Sequence, residues 1–176
     1  GTNLIEYSTI ASTGTRQDFG DLTTGRSHTS SNASPTRGLI IGGSDGTSPN
    51  PSYYKSIDYI DIATTGNAED YGDLSGNRGY MYGGGNAIRA VMTSGYDGSG
   101  YLSTSETINM VTKGRGQLFG NTPMAGEAGA SMSSTTRFVY GAGYTYPAGK
   151  VNTIEFINLQ TLGDTVNFGD LGVVDA

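Results

Sequence analysis

The sequence predicts an all-β protein made from one unit repeated along the chain. Glycine is abundant, at 29 of 176 residues, and Ser, Thr and Asn are frequent. No window carries apolar residues at i, i+3, i+4 and i+7 for three turns, so nothing reads as an amphipathic helix. One phrase recurs: "IEYSTIASTGTRQDFGDL" at 5–22, "IDYIDIATTGNAEDYGDL" at 57–74 and "IEFINLQTLGDTVNFGDL" at 154–171. Each copy reads as an alternating strand, a polar turn and a short aromatic strand.

The period follows from the aromatic that precedes a glycine. Phe19, Tyr71, Phe119 and Phe168 are spaced by 52, 48 and 49 residues. A unit of about 50 residues lies in the range of β-propeller blades. Ile5, Ile57, Ile108 and Ile154 are read as opening the alternating strand, and Arg37, Arg89 and Arg137 each precede a short apolar run, "GLII", "AVM" and "FVY". Such runs suit central buried strands.

Residues 23–74 contain one full unit of four antiparallel strands. "RSHTSSNA", 26–33, has small side chains and suits an innermost strand, where neighbouring sheets converge. "RGLIIGG" (37–43) is the second strand, "IDYIDIA" (57–63) the third and "EDYGDL" the outermost. "GYMYGGGN" (79–86) and "GEAGASMSS" (126–134) take the innermost place in the next units. The chain thus divides into a half blade at 1–22, holding third and fourth strands, blades at 23–74 and 75–122, and a last blade with the C-terminal end at 123–176.

The order of arginine, apolar run, Gly42-Gly43, variable loop, alternating strand and aromatic strand resembles the Kelch repeat of β-propellers across essentially the whole chain. "LIIGGSDG" carries the resemblance best, and later copies keep "TSGYDG" and "GAGYTY". The outer-strand tryptophan of that family is absent, with Phe or Tyr in its place. The Gly/Ser/Thr/Asn-rich, cysteine-free repeat also resembles virion proteins of tailed bacteriophages, tail or fibre components among them. That resemblance implies a structural or adhesive protein in a virion, outside the cell, presenting one loop-rich face to a receptor or another virion protein. The alternatives are a cellular, cytoplasmic Kelch module for protein–protein interaction and, third, a glycan-processing propeller enzyme.

The recurring residues read as scaffold. Phe19, Tyr71, Phe119 and Phe168 are expected to bury against the next sheet, worth roughly 1.5–3 kcal/mol each. The glycines that follow suit a bulge, and Asp21, Asp73 and Asp170 suit side-chain turn bonds to backbone N–H groups. Arg37, Arg89 and Arg137 occupy one equivalent position, which favours hydrogen bonding to a neighbouring sheet over the clustered arginine triad of sialidase-type propellers.

Charge and composition narrow the function. A net charge of −6, with only Lys55, Lys113 and Lys150 as lysines, opposes nucleic-acid binding. There is no cysteine and one histidine, His28, which excludes the tyrosine–cysteine copper centre of related oxidases. His28 has no G-x-S-x-G elbow beside it and reads as a polar strand residue. No apolar run approaches the roughly 18 residues of a spanning helix. No catalytic residue, metal site or cofactor is expected. The start at Gly1, without Met or a signal-like segment, reads as processing or excision from something longer.

The ligand face is read from the loops between second and third strands. Residues 44–56, 94–105 and 144–152 hold Tyr53, Tyr54, Tyr96, Tyr101, Tyr144 and Tyr146, half of the chain's 12 tyrosines, together with Asp97. The turns between third and fourth strands hold none. Tyrosine joins a flat apolar ring to a hydroxyl at low entropic cost, which favours protein or carbohydrate recognition. The competing reading is that the rings pin down long loops. Asp45 and Asp97 lie in Asp-Gly turns, a commoner use than calcium binding. The strands amount to three and a half units, so the ring is partial: more blades of a longer chain, a second chain or a larger particle are expected to cover the ends.

Overall fold

The computed structural model describes residues 1–12, 14–145 and 147–172, and these form β-structure without a helix. Strands β1 (Thr2–Tyr7) and β2 (Gln17–Arg26) pair as an antiparallel hairpin. Three four-stranded antiparallel sheets follow, each in simple chain order. The first contains β3 (Ser30–Ala33), β4 (Arg37–Ile41), β5 (Ser56–Asp61) and β6 (Glu69–Asp73). The second contains β7 (Tyr82–Gly85), β8 (Arg89–Thr93), β9 (Thr104–Asn109) and β10 (Gln117–Asn121). After β11 (Gly126–Glu127) comes the third sheet: β12 (Ala130–Ser133), β13 (Arg137–Gly141), β16 (Thr153–Asn158) and β17 (Val166–Asp170). A small sheet of β11, β14 (Tyr144–Thr145) and β15 (Gly149–Lys150) is attached to it.

The core lies between sheets. Leu39, Ile41, Ile57, Tyr71 and Leu74 of the first pack against Met81, Ala90, Met92, Ile108 and Met110 of the second. Tyr82 and Val91 pack in turn against Met124, Phe138, Tyr140, Ile157 and Leu159 of the third. Strand β8 is therefore buried on both sides, which explains its unbroken "AVM". The first strands β3, β7 and β12 lie side by side in that order. A Cβ on Gly83 would fall 1.8 Å from Ser30 Oγ, and one on Gly84 would fall 2.3 Å from Ser133 Oγ. Small residues are required where the sheets approach so closely.

The aromatic-glycine pair forms a bulge in every outer pairing. Ile57 pairs with Gly72 and Asp58 with Asp70, leaving Tyr71 as the extra residue; the same shift leaves out Phe19, Phe119 and Phe168. Bulges bend and twist a strand, and the φ of +145° at Gly72 is one that side chains disfavour. The turn of the next sheet closes onto the bulge: Gly66 N–H donates to Phe19 O at 2.7 Å and Gly114 N–H to Tyr71 O at 3.0 Å. Burial follows this cover. Phe19 and Tyr71 are buried and Phe119 is half-buried, while Phe168, on the last sheet, is 57% exposed.

Several expected details differ. Strand β2 runs through the expected boundary at 22/23 to Arg26, and the innermost strands are only four residues long. Ile108 does not open its strand: Ser105 lies opposite Gly120, as Ile57 lies opposite Gly72, and Ile108 sits three residues further on. Ser105 instead meets the hydroxyl of Thr93 at 2.8 Å in the interior. Asp21, Asp73 and Asp170 form no side-chain turn bonds among the described residues. The carbonyls of Asp21 and Asp73 accept N–H bonds from the next sheet's turn, and the Asp73 carboxylate pairs with Lys55 at 3.3 Å.

The arginines bridge sheets. Arg37 Nη1 donates to Met110 O and Val111 O at 2.9 and 3.0 Å, and Arg89 donates to Leu159 O. Among the described residues no sheet follows that of Arg137, which lies over the Phe156 ring, 4.8 Å from its centre.

Candidate ligand-binding face

The long loops are pinned first by backbone pairing. Ser44 bridges Ser27 and Tyr53, Tyr96 bridges Gly79 and Tyr101, and the third unit extends the same pattern into β11, β14 and β15. Two aspartates then close the loops. Asp45 Oδ1 accepts the N–H groups of Thr47 and Ser52 at 2.9 and 3.1 Å, and Asp97 Oδ1 those of Ser99 and Gly100 at 2.7 and 2.9 Å. The Thr47 N–H is the main reason that the Asp45 carboxyl titrates below its usual range.

The links entering each sheet supply the remaining side chains. His28, Tyr80 and Ala128 occupy equivalent places and share a left-handed backbone, with φ of 56°, 58° and 61°. That conformation costs a non-glycine residue of order 1–3 kcal/mol. It interrupts the strand and throws the side chain to the loop end of the sheets. The Tyr80 N–H bonds to His28 O at 3.0 Å, and the two rings stack at 4.1 Å with 26° between their planes.

A continuous aromatic strip results. Tyr53 lies 6.4 Å from Tyr80 and 5.6 Å from Tyr96, and Tyr96 lies 5.2 Å from Tyr101. The last two pairs are nearly perpendicular, at 70° and 62°. Tyr53, Tyr80 and Tyr96 form a wall shared by two clefts. One, of about 490 Å³, opens toward His28 and the 46–51 loop. The other, of about 670 Å³, is closed by Tyr101 and Glu127. Burial, reinforced by the Glu127 carboxylate that accepts its hydroxyl at 3.1 Å, pushes the Tyr101 phenol up to about 12.

No family model matches the chain, and no curated protein matches it. Its structure is similar to that of YjhT, with a TM-score of 0.75 over 92% of this chain at 10% sequence identity. The chain spans 57% of that protein's length. Likeness at this identity concerns the fold alone.

Of the expected site residues, the structure brings Tyr53, Tyr96 and Tyr101 together, with Asp97 shaping their loop. Tyr54 and Tyr144 take no part in the strip: Tyr54 uses its backbone to join Gly43 and Arg78, and Tyr144 pairs with Glu127 in the small sheet. Tyr146 lies outside the described residues. Tyr80, His28 and Glu127 are additions. Tyr80 alternates with Tyr82 in the sequence and reads as a strand residue, but its left-handed backbone sends the two rings to different places. Tyr82 is in the core and Tyr80 at the cleft. The signal available in the sequence is the 52-residue register that aligns His28 with Tyr80.

Proposed function

We propose that the four-stranded sheets are blades of a β-propeller and that the chain is a non-enzymatic, adhesive part of it, which binds a surface polysaccharide through the tyrosine strip. The blade reading is supported by the adjacent first strands, the small residues between them and the cover that each sheet receives from the next. Further blades, from the same or another polypeptide, would cover the exposed Phe168. The repeats' resemblance to phage tail and fibre proteins favours a role on a virion, outside the cell.

The observation that carries the binding reading is the wall of Tyr53, Tyr80 and Tyr96 shared by two clefts. Rings held edge-to-face by backbone-anchored loops offer stacking surface and hydroxyls already in position, which lowers the entropic cost of binding. An array of bacterial surface polysaccharides tests it. Wild-type protein should bind at least one of them saturably, and Tyr53→Ala with Tyr96→Ala should weaken that binding at least about tenfold while the circular dichroism spectrum is retained. Undiminished binding by the folded double variant, or no binding to any polysaccharide, would overturn the proposal.

A further inference from the structure

The second cleft has a charge character that a surface for neutral sugars does not need. Its walls carry the rings of Tyr53, Tyr80, Tyr96 and Tyr101 and the carboxylate of Glu127, and among the described residues no cationic side chain lines it. Among the described residues Glu127 forms no ion pair; its carboxylate accepts only the Tyr101 hydroxyl. Arg78, a basic residue close behind the strip, is buried, and both its terminal nitrogens are bonded, to Glu106 and Thr104.

Aromatic faces carry negative potential, and near-perpendicular rings make a corner in which one group touches more than one face. The Tyr96–Tyr53 and Tyr96–Tyr101 pairs are such corners. The field already acts on the protein's own groups: the Tyr53 phenol is pushed up by burial first, then by its tyrosine neighbours and by Glu127 and Asp97.

We propose that this cleft binds an organic ammonium group, held against the tyrosine faces and neutralised by Glu127. The assignment rests on the reading of this face as a binding surface and names the chemistry of one group that enters it. An anion would be repelled, and a neutral group would leave the Glu127 charge without a partner.

Three small probes isolate the charge: choline, n-butylammonium and 3,3-dimethyl-1-butanol, the neutral carbon isostere of choline. Binding is followed by tyrosine fluorescence and by chemical-shift titration. At least one of the two cations should bind saturably and at least about tenfold more tightly than the isostere. The ratio between choline and n-butylammonium tells a quaternary from a primary ammonium source. Glu127→Gln keeps shape and removes charge, and should erase most of the preference for the cation. Tyr96→Ala should weaken both cations, and Leu118→Ala, exposed on β10 and away from the cleft, should leave them unchanged. Equal affinity for cation and isostere, or a preference that survives Glu127→Gln, overturns the assignment. The two proposals can fail separately. Polysaccharide binding lost in the Tyr53/Tyr96 variant without any cation preference sinks only the ammonium assignment. Cation binding without polysaccharide binding sinks only the adhesive reading.

Discussion

Asp58, Glu106 and Glu155 occupy one place in three consecutive sheets, each at most 3% exposed, and two solutions answer the same electrostatic demand. Asp58 meets Arg26 at 2.5 Å and accepts the N–H and hydroxyl of Thr23. Glu106 meets Arg78 at 3.3 Å and accepts both groups of Ser75. In the third sheet Pro123 and Gly126 fall where Ser75 and Arg78 stand, and the hydroxyls of Thr122, Tyr140 and Thr165 replace them at 2.5–2.9 Å. Removing one partner of a buried pair strands the other charge. Arg78→Met should therefore cost about 3–5 kcal/mol in urea unfolding, and adding Glu106→Leu should restore most of it. A second prediction concerns alkaline pH. Burial raises the Tyr82 phenol to about 12 from its ordinary 10.0. A raised acid favours its protonated form in the fold, so its stabilisation is complete below pH 10 and is lost as pH climbs toward 12. Tyr82's share of the fall in unfolding free energy across that window should be roughly 2–3 kcal/mol, beside that of other raised phenols, Tyr101 and Tyr140 among them, and Tyr82→Phe should remove that share while theirs remains.

At the level of elements, the recurring bulge explains why the repeat is visible at all. The extra aromatic, the glycine after it and the next sheet's glycine turn form one contact, so the three residue types recur together. A Cβ on Gly72 would lie 2.2 Å from Gly114 O, a backbone atom that cannot rotate away. Gly72→Ala should destabilise by more than about 2 kcal/mol in chemical unfolding, whereas Gly169→Ala, with no atom within 4 Å, should cost only its backbone strain of about 1 kcal/mol. Sheet order, apolar second strands and tyrosine-bearing loops were legible because each follows from alternation or from the register of that bulge. The innermost strands were not, since small polar residues carry no period that separates four paired residues from the irregular link before them. Tyr80 and His28 were lost for that reason: a left-handed residue is invisible where the side chain is not glycine or asparagine. Ile108 misled because Ile57 and Ile60 of the earlier copy look alike, and only the partner strands show that Ile108 stands where Ile60 does, with polar Ser105 opposite the glycine.

The molecule as a whole is a stack of thin sheets, each covered on one side by its successor. Cover fails at the last. Phe168, Val166 and Met132 are 57%, 52% and 69% exposed, and Arg137 turns back on Phe156. Bare apolar surface of this kind promotes association. Sedimentation velocity of the 176-residue chain should show mass rising with concentration, and Phe168→Asp should suppress the rise without lowering the unfolding midpoint.

The bonds from Arg37 and Arg89 run only forward, from each sheet to the one after it. The stack therefore has polarity, like a row of hooks that all face one way. Two such stacks can continue these bonds only head to tail, and a back-to-back union would leave Arg137, the last hook, without an eye.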